Sequence, residues 1–463
     1  MKACISKAVN FFLTEATTLT LLHAIETSAQ AKLERLVRVA AEHTYVKSKS
    51  KCLPNTRDNT QRSILNLLKE AKSRFVWLRG SPGTGKTAIS MSIASALEEE
   101  GTLAASFFWD KNQKGTGLDS LERFPSTLAR QLALFDEDFK VLLIKCLTKP
   151  DSELVLSLDP KTQMKTLVLE PMNGLEGILS GSNKRVSIIL DGLDECGDPE
   201  ALESLMELVL LLHELPSAFA VLVSCRPEPT VLSAWNRARG QGLVIPCEDM
   251  DRIEWGDNFH TIRRMVEEEL RDCITGSPWK PSDEDLDVFV GGCRGLPIMA
   301  SIRIRDVCVQ TRRGSSLQLE FEYFRSLREV PTDLNWEYLR IMRRAYLSDS
   351  SRIRPHVAKN YREIITMIIT AEWKDLGTDD ISHLLGITEH EVRTTLTPIS
   401  SIVDLPESNE QTVKFYHATV KEFIMGVPIG EEQDKKLILI HINDQWPIGN
   451  SCITLWLVSI RPA

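Results

Sequence analysis

The sequence predicts an α/β domain with a parallel five-stranded sheet, followed by a helical domain and a winged helix. Between residues 75 and 245, short apolar runs of strand length alternate with segments of helical periodicity. This alternation indicates a parallel sheet with helices on both faces. After residue 255 the strand signal fades. A helix, a short helix, a third helix and two extended runs then follow between residues 356 and 416.

Composition narrows the class of protein. With 463 residues, 43% hydrophobic and 26% charged, the chain has the make-up of a globular protein of several domains. A net charge of −9 without a long Lys/Arg block argues against a nucleic-acid partner. No apolar run reaches the roughly 18 residues of a membrane span. The ten cysteines lack C-x-x-C spacing, so we expect reduced thiols in a cytoplasmic protein and no familiar zinc site.

The N-terminal region is predicted to be an arm of one or two helices over residues 9–46. Such a helix could pack on the neighbouring domain, or it could serve self-association or coupling to an effector. A polar, basic connector covers residues 47–51, and a helix over 59–72 follows, which Thr56 or Asp58 can cap. Apolar residues with the 3- and 4-residue spacing of a helix stripe are Leu22, Ile25, Ala29, Leu33, Leu36 and Ala40.

The remaining predicted elements follow in order. Strands are expected at 75–78, 103–109, 186–190, 219–223 and 243–245. Helices between them are expected at 88–100, 118–148, 161–180 and 200–214. The helical domain has helices at 258–273, 284–293, 296–311 and 334–347. The winged helix has helices at 356–374, 379–385 and 389–396, with extended runs at 399–405 and 412–416. The predicted domains are 1–50 (arm), 51–255 (sheet domain), 256–350 (helical domain), 351–430 (winged helix) and 431–463 (tail).

A phosphate-binding loop follows the first strand. Gly80-Ser-Pro-Gly-Thr-Gly-Lys-Thr87 fits the pattern G-x-x-x-x-G-K-[ST], in which Gly83 and Gly85 can take a positive φ and turn backbone N–H groups toward a phosphate. The next helix points its N-terminus at the same anion. Lys86 would reach the β- and γ-phosphates, and the Thr87 hydroxyl would hold Mg²⁺. The predicted nucleotide contacts are Gly80, Ser81, Pro82, Gly83, Thr84, Gly85, Lys86, Thr87 and Ala88.

A second motif, Val186-Ser-Ile-Ile-Leu-Asp-Gly-Leu-Asp-Glu195, places Asp191 at the end of a buried strand. This is the Walker B arrangement, in which Asp191 would orient Mg²⁺ together with Thr87. Asp194 or Glu195 could activate the attacking water, and Asp194 is preferred because it ends the strand turn. An acidic loop that only caps the next helix is the alternative. The two motifs together predict a P-loop NTPase of the ASCE or AAA-like class.

These motifs resemble the NACHT class of STAND signalling NTPases, and most of all the nephrocystin-like NACHT domains. The resemblance covers roughly residues 50–425. Cys52-Leu-Pro-Asn-Thr-Arg57 resembles the family's C-x-P-G-T-R segment, with Asn55 in place of Gly, which implies that Arg57 lies near the adenine or the neighbouring backbone. Val221-Leu-Val-Ser-Cys-Arg-Pro-Glu228 resembles the sensor strand, which implies that Arg226 lies near the γ-phosphate and takes part in catalysis with Lys86.

Two further segments extend the resemblance. Gly295-Leu-Pro297 resembles the G-x-P element, which implies that Pro297 contacts the base. Phe415-Tyr-His-Ala-Thr-Val-Lys-Glu-Phe-Ile424 resembles the H-x-S-F-x-[ED]-F-[LI] segment of the winged helix, with Thr419 and Val420 in place of Ser and Phe. In that family the His reaches the β-phosphate of ADP and holds the closed state, which implies the same role for His417.

The resemblance implies an NLR-like switch that binds ATP or ADP and hydrolyses it slowly with Mg²⁺, controlling self-assembly or the binding of protein partners. Family members carry sensor repeats after the winged helix, and none is visible after Met425. We therefore expect a fragment, an altered gene product, or a protein whose sensing lies with another protein. The apolar run 452–460 could pack on the winged helix or promote association. A protein-remodelling ATPase and a nucleotide-binding scaffold without hydrolysis are the alternative functions.

Overall fold

The structure is a computed structural model that describes residues 26–46, 49–70, 73–113, 115–149, 157–175, 185–327, 333–347, 355–370, 376–427, 429–430 and 434. The apolar run 452–460 lies outside the described residues. The chain divides into two compact units. The first unit contains residues up to 51, then 59–80 and 86–249, and the second contains 52–58, 81–85 and the chain from 250 onward.

The first unit is built on a five-stranded parallel sheet in the order β2-β3-β4-β1-β5. Parallel strands end at one edge of a sheet, so this order brings the chain after β1, β3 and β4 to neighbouring positions. The α/β fold with a parallel five-stranded sheet, predicted from the sequence, is confirmed. The strands are β1 Phe75–Arg79, β2 Leu103–Phe108, β3 Val186–Asp191, β4 Phe219–Cys225 and β5 Cys247–Asp249.

The fifth strand lies later in the chain than predicted. We expected it over 243–245, before Pro246, whereas β5 begins after this proline at Cys247. The backbone N–H of Trp77 donates to the Pro246 carbonyl over 2.9 Å, so pairing with β1 starts there. A proline cannot donate to the ladder but can accept at the start of a strand, which explains the shift.

Helices cover both faces of this sheet. Their bounds are α1 26–34, α2 Asp58–Lys69, α3 Lys86–Glu99, α4 Phe124–Phe135, α5 Glu137–Leu147, α7 Pro199–Leu211 and α8 Pro229–Gly240. Helix α6 combines Pro160–Met164, a π-helical turn over Lys165–Leu169 and Glu170–Asn173. The predicted helix 118–148 is divided at Asp136, whose carboxylate caps α5 by accepting from Phe139 N–H over 2.7 Å. Helix α8 was not predicted.

The arm departs from the prediction as well. The described helix α1 ends at residue 34, and residues 36–46 continue without helix. Phe108 N–H of the edge strand β2 donates to Ala41 O over 2.9 Å, and His43 N–H donates to Ser106 Oγ over 3.2 Å. The segment thus supplies hydrogen-bond partners that an edge strand otherwise lacks. Of the predicted apolar stripe, Leu33 and Leu36 are buried in the core of the sheet domain, whereas Ala40 is exposed and Leu22 and Ile25 lie outside the described residues.

The second unit is mainly helical. The predicted helix 258–273 is divided at Leu270, and α13 and α18 were not predicted. None of the helices that the structure describes is long and apolar enough to cross a bilayer. The helices are α9 Trp255–Glu269, α10 Arg271–Gly276, α11 Asp283–Gly292, α12 Pro297–Arg312, α13 Leu317–Ser326, α14 Leu334–Tyr346, α15 Pro355–Thr370, α16 Thr378–Leu385, α17 Glu389–Leu396 and α18 Ala418–Met425.

The last part of this unit has the element order expected of a winged helix. Helices α15, α16 and α17 precede a short antiparallel pair, β6 Val403–Asp404 and β7 Lys414–Phe415. The side chains of α16, α17 and the pair contribute to one apolar core with α14 and α18. The boundaries that we proposed between helical domain, winged helix and tail stay predictions.

Candidate functional site

The loop after β1 has a positive backbone φ at both glycines where the sequence predicts it. Gly83 and Gly85 have φ values of +76° and +95°, in the left-handed region that favours glycine. Helix α3 begins at Lys86, so its first N–H groups have no partner within the helix. The Lys86 ammonium donates to Gly80 O over 2.7 Å. Burial lowers the pKa of Lys86, and Asp194 and Asp191 raise it in part.

Asp191 ends β3 as a buried carboxylate. It is fully buried, and among the described residues neither carboxylate oxygen has a hydrogen-bond partner. The ammonium of Lys49 lies 3.9 Å from Oδ2, too far for a hydrogen bond. A buried carboxylate without donors is costly, and oxygen ligands of this kind are those that Mg²⁺ prefers. Asp191 therefore fits the predicted metal ligand, and the half-buried Thr87 lies in the first turn of α3.

The two acidic residues after Asp191 have different surroundings. Asp194 pairs with Arg226: its Oδ1 accepts from the Arg226 backbone N–H over 3.0 Å, and its Oδ2 lies 2.9 Å from Arg226 Nε. Burial raises the pKa of Glu195 to about 7, although nearby Lys49 lowers it. Both residues lie on a 3-10 turn, Leu193–Glu195, that directly follows the strand. Asp194 is thus held by a cation, whereas Glu195 has the pKa of a proton acceptor near neutral pH.

Lys49 is a residue that the sequence did not single out. It belongs to the connector that we described only as polar and basic, yet its side chain is 11% exposed. Its ammonium donates to Trp109 O over 2.6 Å at the end of β2. Burial by itself lowers the pKa of Lys49, but Glu195, Asp191 and Asp110 outweigh it and raise the pKa. A lysine among other lysines in a connector gives no sequence signal that distinguishes a buried side chain from an exposed one.

The segment 81–85 of the phosphate loop belongs to the second unit and contacts the start of α12 there. Ile298 N–H donates to Gly83 O over 3.2 Å. A Cβ on Gly83 would clash with Ile298 Cγ2, whereas one on Gly85 would lie 3.9 Å from Pro297 Cγ. The G-x-P element therefore packs against the glycines of the loop. Its contact with a base stays a prediction.

Alanine substitutions at Gly83 and Gly85 should lower the free energy of unfolding by different amounts. Gly83→Ala meets both the strain of a positive φ, about 1–2 kcal/mol, and a clash with Ile298 that adds about 1–3 kcal/mol. Gly85→Ala meets the strain alone, since a contact of 3.9 Å is ordinary. We expect Gly83→Ala to lower the free energy of unfolding further than Gly85→Ala, measured by urea denaturation. Equal losses would show that the contact with Ile298 is not maintained in solution.

The segment before α2 has two residues with positive φ, Asn55 at +62° and Arg57 at +59°. Asparagine tolerates this conformation better than most residues, which explains how Asn55 can stand where the related segments have Gly. Asn55 O lies 3.1 Å from Nε2 of His260. The Arg57 side chain is buried, and its Nη1 has no hydrogen-bond partner among the described residues. Burial lowers the pKa of Arg57. A buried, unpaired guanidinium nitrogen fits a ligand-directed role.

His417 lies at the N-terminus of α18, where it acts as the helix cap. Its Nδ1 accepts from Thr419 N–H over 3.2 Å and lies 2.7 Å from Thr419 Oγ1. The same hydroxyl lies 2.7 Å from the Tyr338 hydroxyl. With Nδ1 accepting, the neutral ring carries its proton on Nε2. Thr419 keeps the hydroxyl of the family's Ser. The approach of His417 to a phosphate stays a prediction.

Comparison with protein families gives one match. Residues 58–226, less than half of the chain, match the family described as Nephrocystin 3, N-terminal. The matched part contains both nucleotide motifs and ends at Arg226. No curated protein matches the sequence significantly.

The solved structures that are similar to this chain have low sequence identity and low TM-scores. The Walker-type ATPase of Pyrococcus abyssi is 13% identical, with 81% of this chain and 98% of that chain covered and a TM-score of 0.40. Cdc6p from Pyrobaculum aerophilum is 13% identical, with coverages of 83% and 94% and a TM-score of 0.36. The RuvB Holliday junction branch migration motor of Thermotoga maritima is 14% identical, with coverages of 82% and 99% and a TM-score of 0.31. At these levels the similarities bear on neither activity nor partners.

Proposed function

We propose that this protein is a nucleotide-controlled switch of the NACHT type, which binds ATP or ADP with Mg²⁺ and hydrolyses ATP slowly. The observation that carries the proposal is the buried Asp191 carboxylate, whose oxygens lack hydrogen-bond partners among the described residues, in the same unit as Lys86 at the start of α3. The match of residues 58–226 to the nephrocystin 3 N-terminal family supports the proposal. The sequence motifs resemble nephrocystin-like NACHT domains, and the matched residues contain both nucleotide motifs.

Nucleotide binding would use the loop and the first turn of α3. The N–H groups around Gly83 and Gly85 and at the N-terminus of α3 would receive the phosphates. Lys86 would exchange its hydrogen bond with Gly80 O for the β- and γ-phosphates. Thr87 and Asp191 would hold Mg²⁺, which when bound neutralises phosphate charge.

For hydrolysis, the surroundings of the two carboxylates favour Glu195 over Asp194 as the base. A base must be unprotonated and able to accept, and a pKa of about 7 lets Glu195 do both near neutral pH. Asp194 is already occupied by two contacts from Arg226. Glu195 would accept a proton from the attacking water, while Asp194 would hold Arg226 in place beside the γ-phosphate. This assignment replaces the preference for Asp194 that the sequence alone suggested.

A switch also needs groups whose contacts differ between nucleotide states. Arg226 is a candidate for the γ-phosphate, because its guanidinium lies in the same unit as Lys86 and Asp191 and affects the pKa of Lys86. His417 is a candidate for the β-phosphate of ADP, with Nε2–H as the donor. To move a population from 1:99 to 99:1, the two states must differ in affinity about 10⁴-fold. Control of self-assembly or of a protein partner is the proposed output.

The test is to denature the purified protein, identify the nucleotide that it releases, and follow phosphate release with ATP and Mg²⁺. A switch should release bound ADP and turn over slowly. Rapid multiple turnover stimulated by a protein substrate would instead indicate a remodelling ATPase. Nucleotide binding without any phosphate release would indicate a scaffold, and the absence of nucleotide binding would contradict the proposal altogether.

A further inference from the structure

The connector before α2 is anchored at the predicted metal site through Lys49. Its ammonium donates to Trp109 O over 2.6 Å and lies 3.9 Å from Asp191 Oδ2. On the N-terminal side, residues 36–46 are fixed to β2 and α4 by one backbone–backbone hydrogen bond and by two backbone N–H groups that donate to the Thr127 and Ser106 hydroxyls. On the C-terminal side, the chain runs within three residues into Cys52, the start of the segment that carries Arg57. Lys49 is thus positioned between a fixed segment and one predicted to contact the nucleotide.

The charge around this ammonium is predominantly negative. Asp191 and Asp110 are buried carboxylates in the same unit, and Glu195 acts on Lys49 electrostatically together with them. In this structure the Asp191 carboxylate lacks hydrogen-bond donors among the described residues, so the Lys49 ammonium supplies compensating charge at a distance of 3.9 Å. A buried carboxylate is costly without such a cation. Lys49 therefore contributes the positive charge that a metal ion contributes when it is bound.

We infer that Lys49 and Mg²⁺ compete for Asp191, so that binding of the metal–nucleotide releases the connector and transmits the state of the site to the Cys52–Arg57 segment. The inference rests on the proposed function, because it requires that Asp191 bind the metal. It adds a route of regulation that neither nucleotide motif contains.

The competition follows from distance and charge. Mg²⁺ binds carboxylate oxygens at about 2.0–2.1 Å. An ammonium 3.9 Å from the same oxygen is then a like charge within a few ångströms, in a buried place where screening is weak. Lysine has a flexible four-carbon stem and a strongly hydrated head, so an ammonium displaced from the site can reach water.

The first experiment measures Mg²⁺ dependence of nucleotide binding, with fluorescent mant-ADP as the probe and no reading of activity. In Lys49→Met, the Mg²⁺ concentration for half-maximal mant-ADP binding should fall about tenfold relative to wild type. Lys51→Met is the matched control, since Lys51 is exposed two residues along the same connector, and it should behave as wild type. Lys49→Arg keeps the charge and should not lower the Mg²⁺ requirement. An unchanged or higher requirement in Lys49→Met overturns the inference.

The second experiment uses the wild-type chain, so it does not depend on how a variant folds. Trypsin can cut after each lysine of Lys47-Ser-Lys-Ser-Lys51. Cleavage in this connector, followed by mass spectrometry, should accelerate about fivefold with ADP and Mg²⁺ and not with ADP and EDTA. Equal rates overturn the inference while leaving nucleotide binding intact. If mant-ADP does not bind to wild type at all, the proposed function fails instead.

Discussion

Replacing Glu195 by Gln should lower the rate of phosphate release by about 100- to 10,000-fold, the usual contribution of a general base. Gln keeps the size and a hydrogen-bonding oxygen of the side chain but cannot accept the proton of the attacking water. Nucleotide binding should change little, because the phosphate contacts that we propose come from other residues. The two measurements are single-turnover phosphate release and binding of mant-ADP. Phosphate release at the wild-type rate would exclude Glu195 as the base.

The pH dependence of the wild-type rate provides an independent check. Burial raises the pKa of Glu195 to about 7, and only the unprotonated carboxylate can act as a base. The rate should therefore rise with pH below about 7 and level off above it. In Glu195→Gln this rise should disappear from whatever rate remains. An aspartate in ordinary surroundings, with a pKa of about 3.9, would give a rate that is flat across the neutral range.

The substitution Asp194→Asn distinguishes the roles proposed for Asp194 and Glu195. The substitution removes the charge that pairs with Arg226 Nε while keeping an oxygen that can accept from the Arg226 backbone N–H. If Asp194 positions Arg226, the variant should lose discrimination between ATP and ADP and still show the rise with pH. Loss of the pH-dependent rise in Asp194→Asn, together with its persistence in Glu195→Gln, would return the role of base to Asp194.

The sheet and the two nucleotide motifs could be predicted because the signals are local. Strands β1, β3 and β4 are runs of apolar residues, rich in Val and Ile, between turn residues, and these are features of buried parallel strands. Glycine at positions 83 and 85 followed by Lys86 and Thr87 specifies a loop and helix start within one segment. Such features can be recognised in the sequence without knowledge of tertiary contacts.

The parts that were predicted wrongly depend on distant residues. The arm has the spacing of a helix through Ala40, yet β2 is an edge strand whose Phe108 N–H requires a partner, and Ala41 O provides it. No sequence pattern within residues 36–46 indicates that this segment supplies an acceptor to the edge strand. The burial of Lys49 has the same origin, because the charges that favour it lie at the ends of β2 and β3.

The surroundings of Asp194 and Glu195 could not be predicted from the sequence. Both residues lie in Asp-Gly-Leu-Asp-Glu, one after the other, and the sequence favoured Asp194 only for its position at the end of the strand turn. What separates them is the chain after β4, where Arg226 contacts Asp194 through both its backbone and its side chain. Strand order brings β3 and β4 together, so the distinction exists only once the sheet has formed.

Lys86→Ala should weaken nucleotide binding about 100-fold or more. Hydrogen bonds to charged groups contribute about 1.5–3 kcal/mol each, and Lys86 is proposed to contact both the β- and γ-phosphates. Burial lowers the pKa of Lys86, and a partly buried ammonium interacts more strongly with a phosphate than an exposed one does. The dissociation constant of mant-ATP, measured by titration with Mg²⁺ present, is the quantity to compare.

A surface lysine supplies the control for this prediction. Lys69 ends α2 and pairs with Glu100, with about half of each side chain exposed, and exposed pairs of this kind contribute about 1 kcal/mol or less. Lys69→Ala should therefore bind mant-ATP as wild type does. The Lys86→Ala protein should keep its helical circular dichroism, because the side-chain hydrogen bond from Lys86 to Gly80 O lies within the loop and is not part of a helix ladder. Wild-type affinity in Lys86→Ala would mean that the loop binds no phosphate, and the proposed switch would have no nucleotide to respond to.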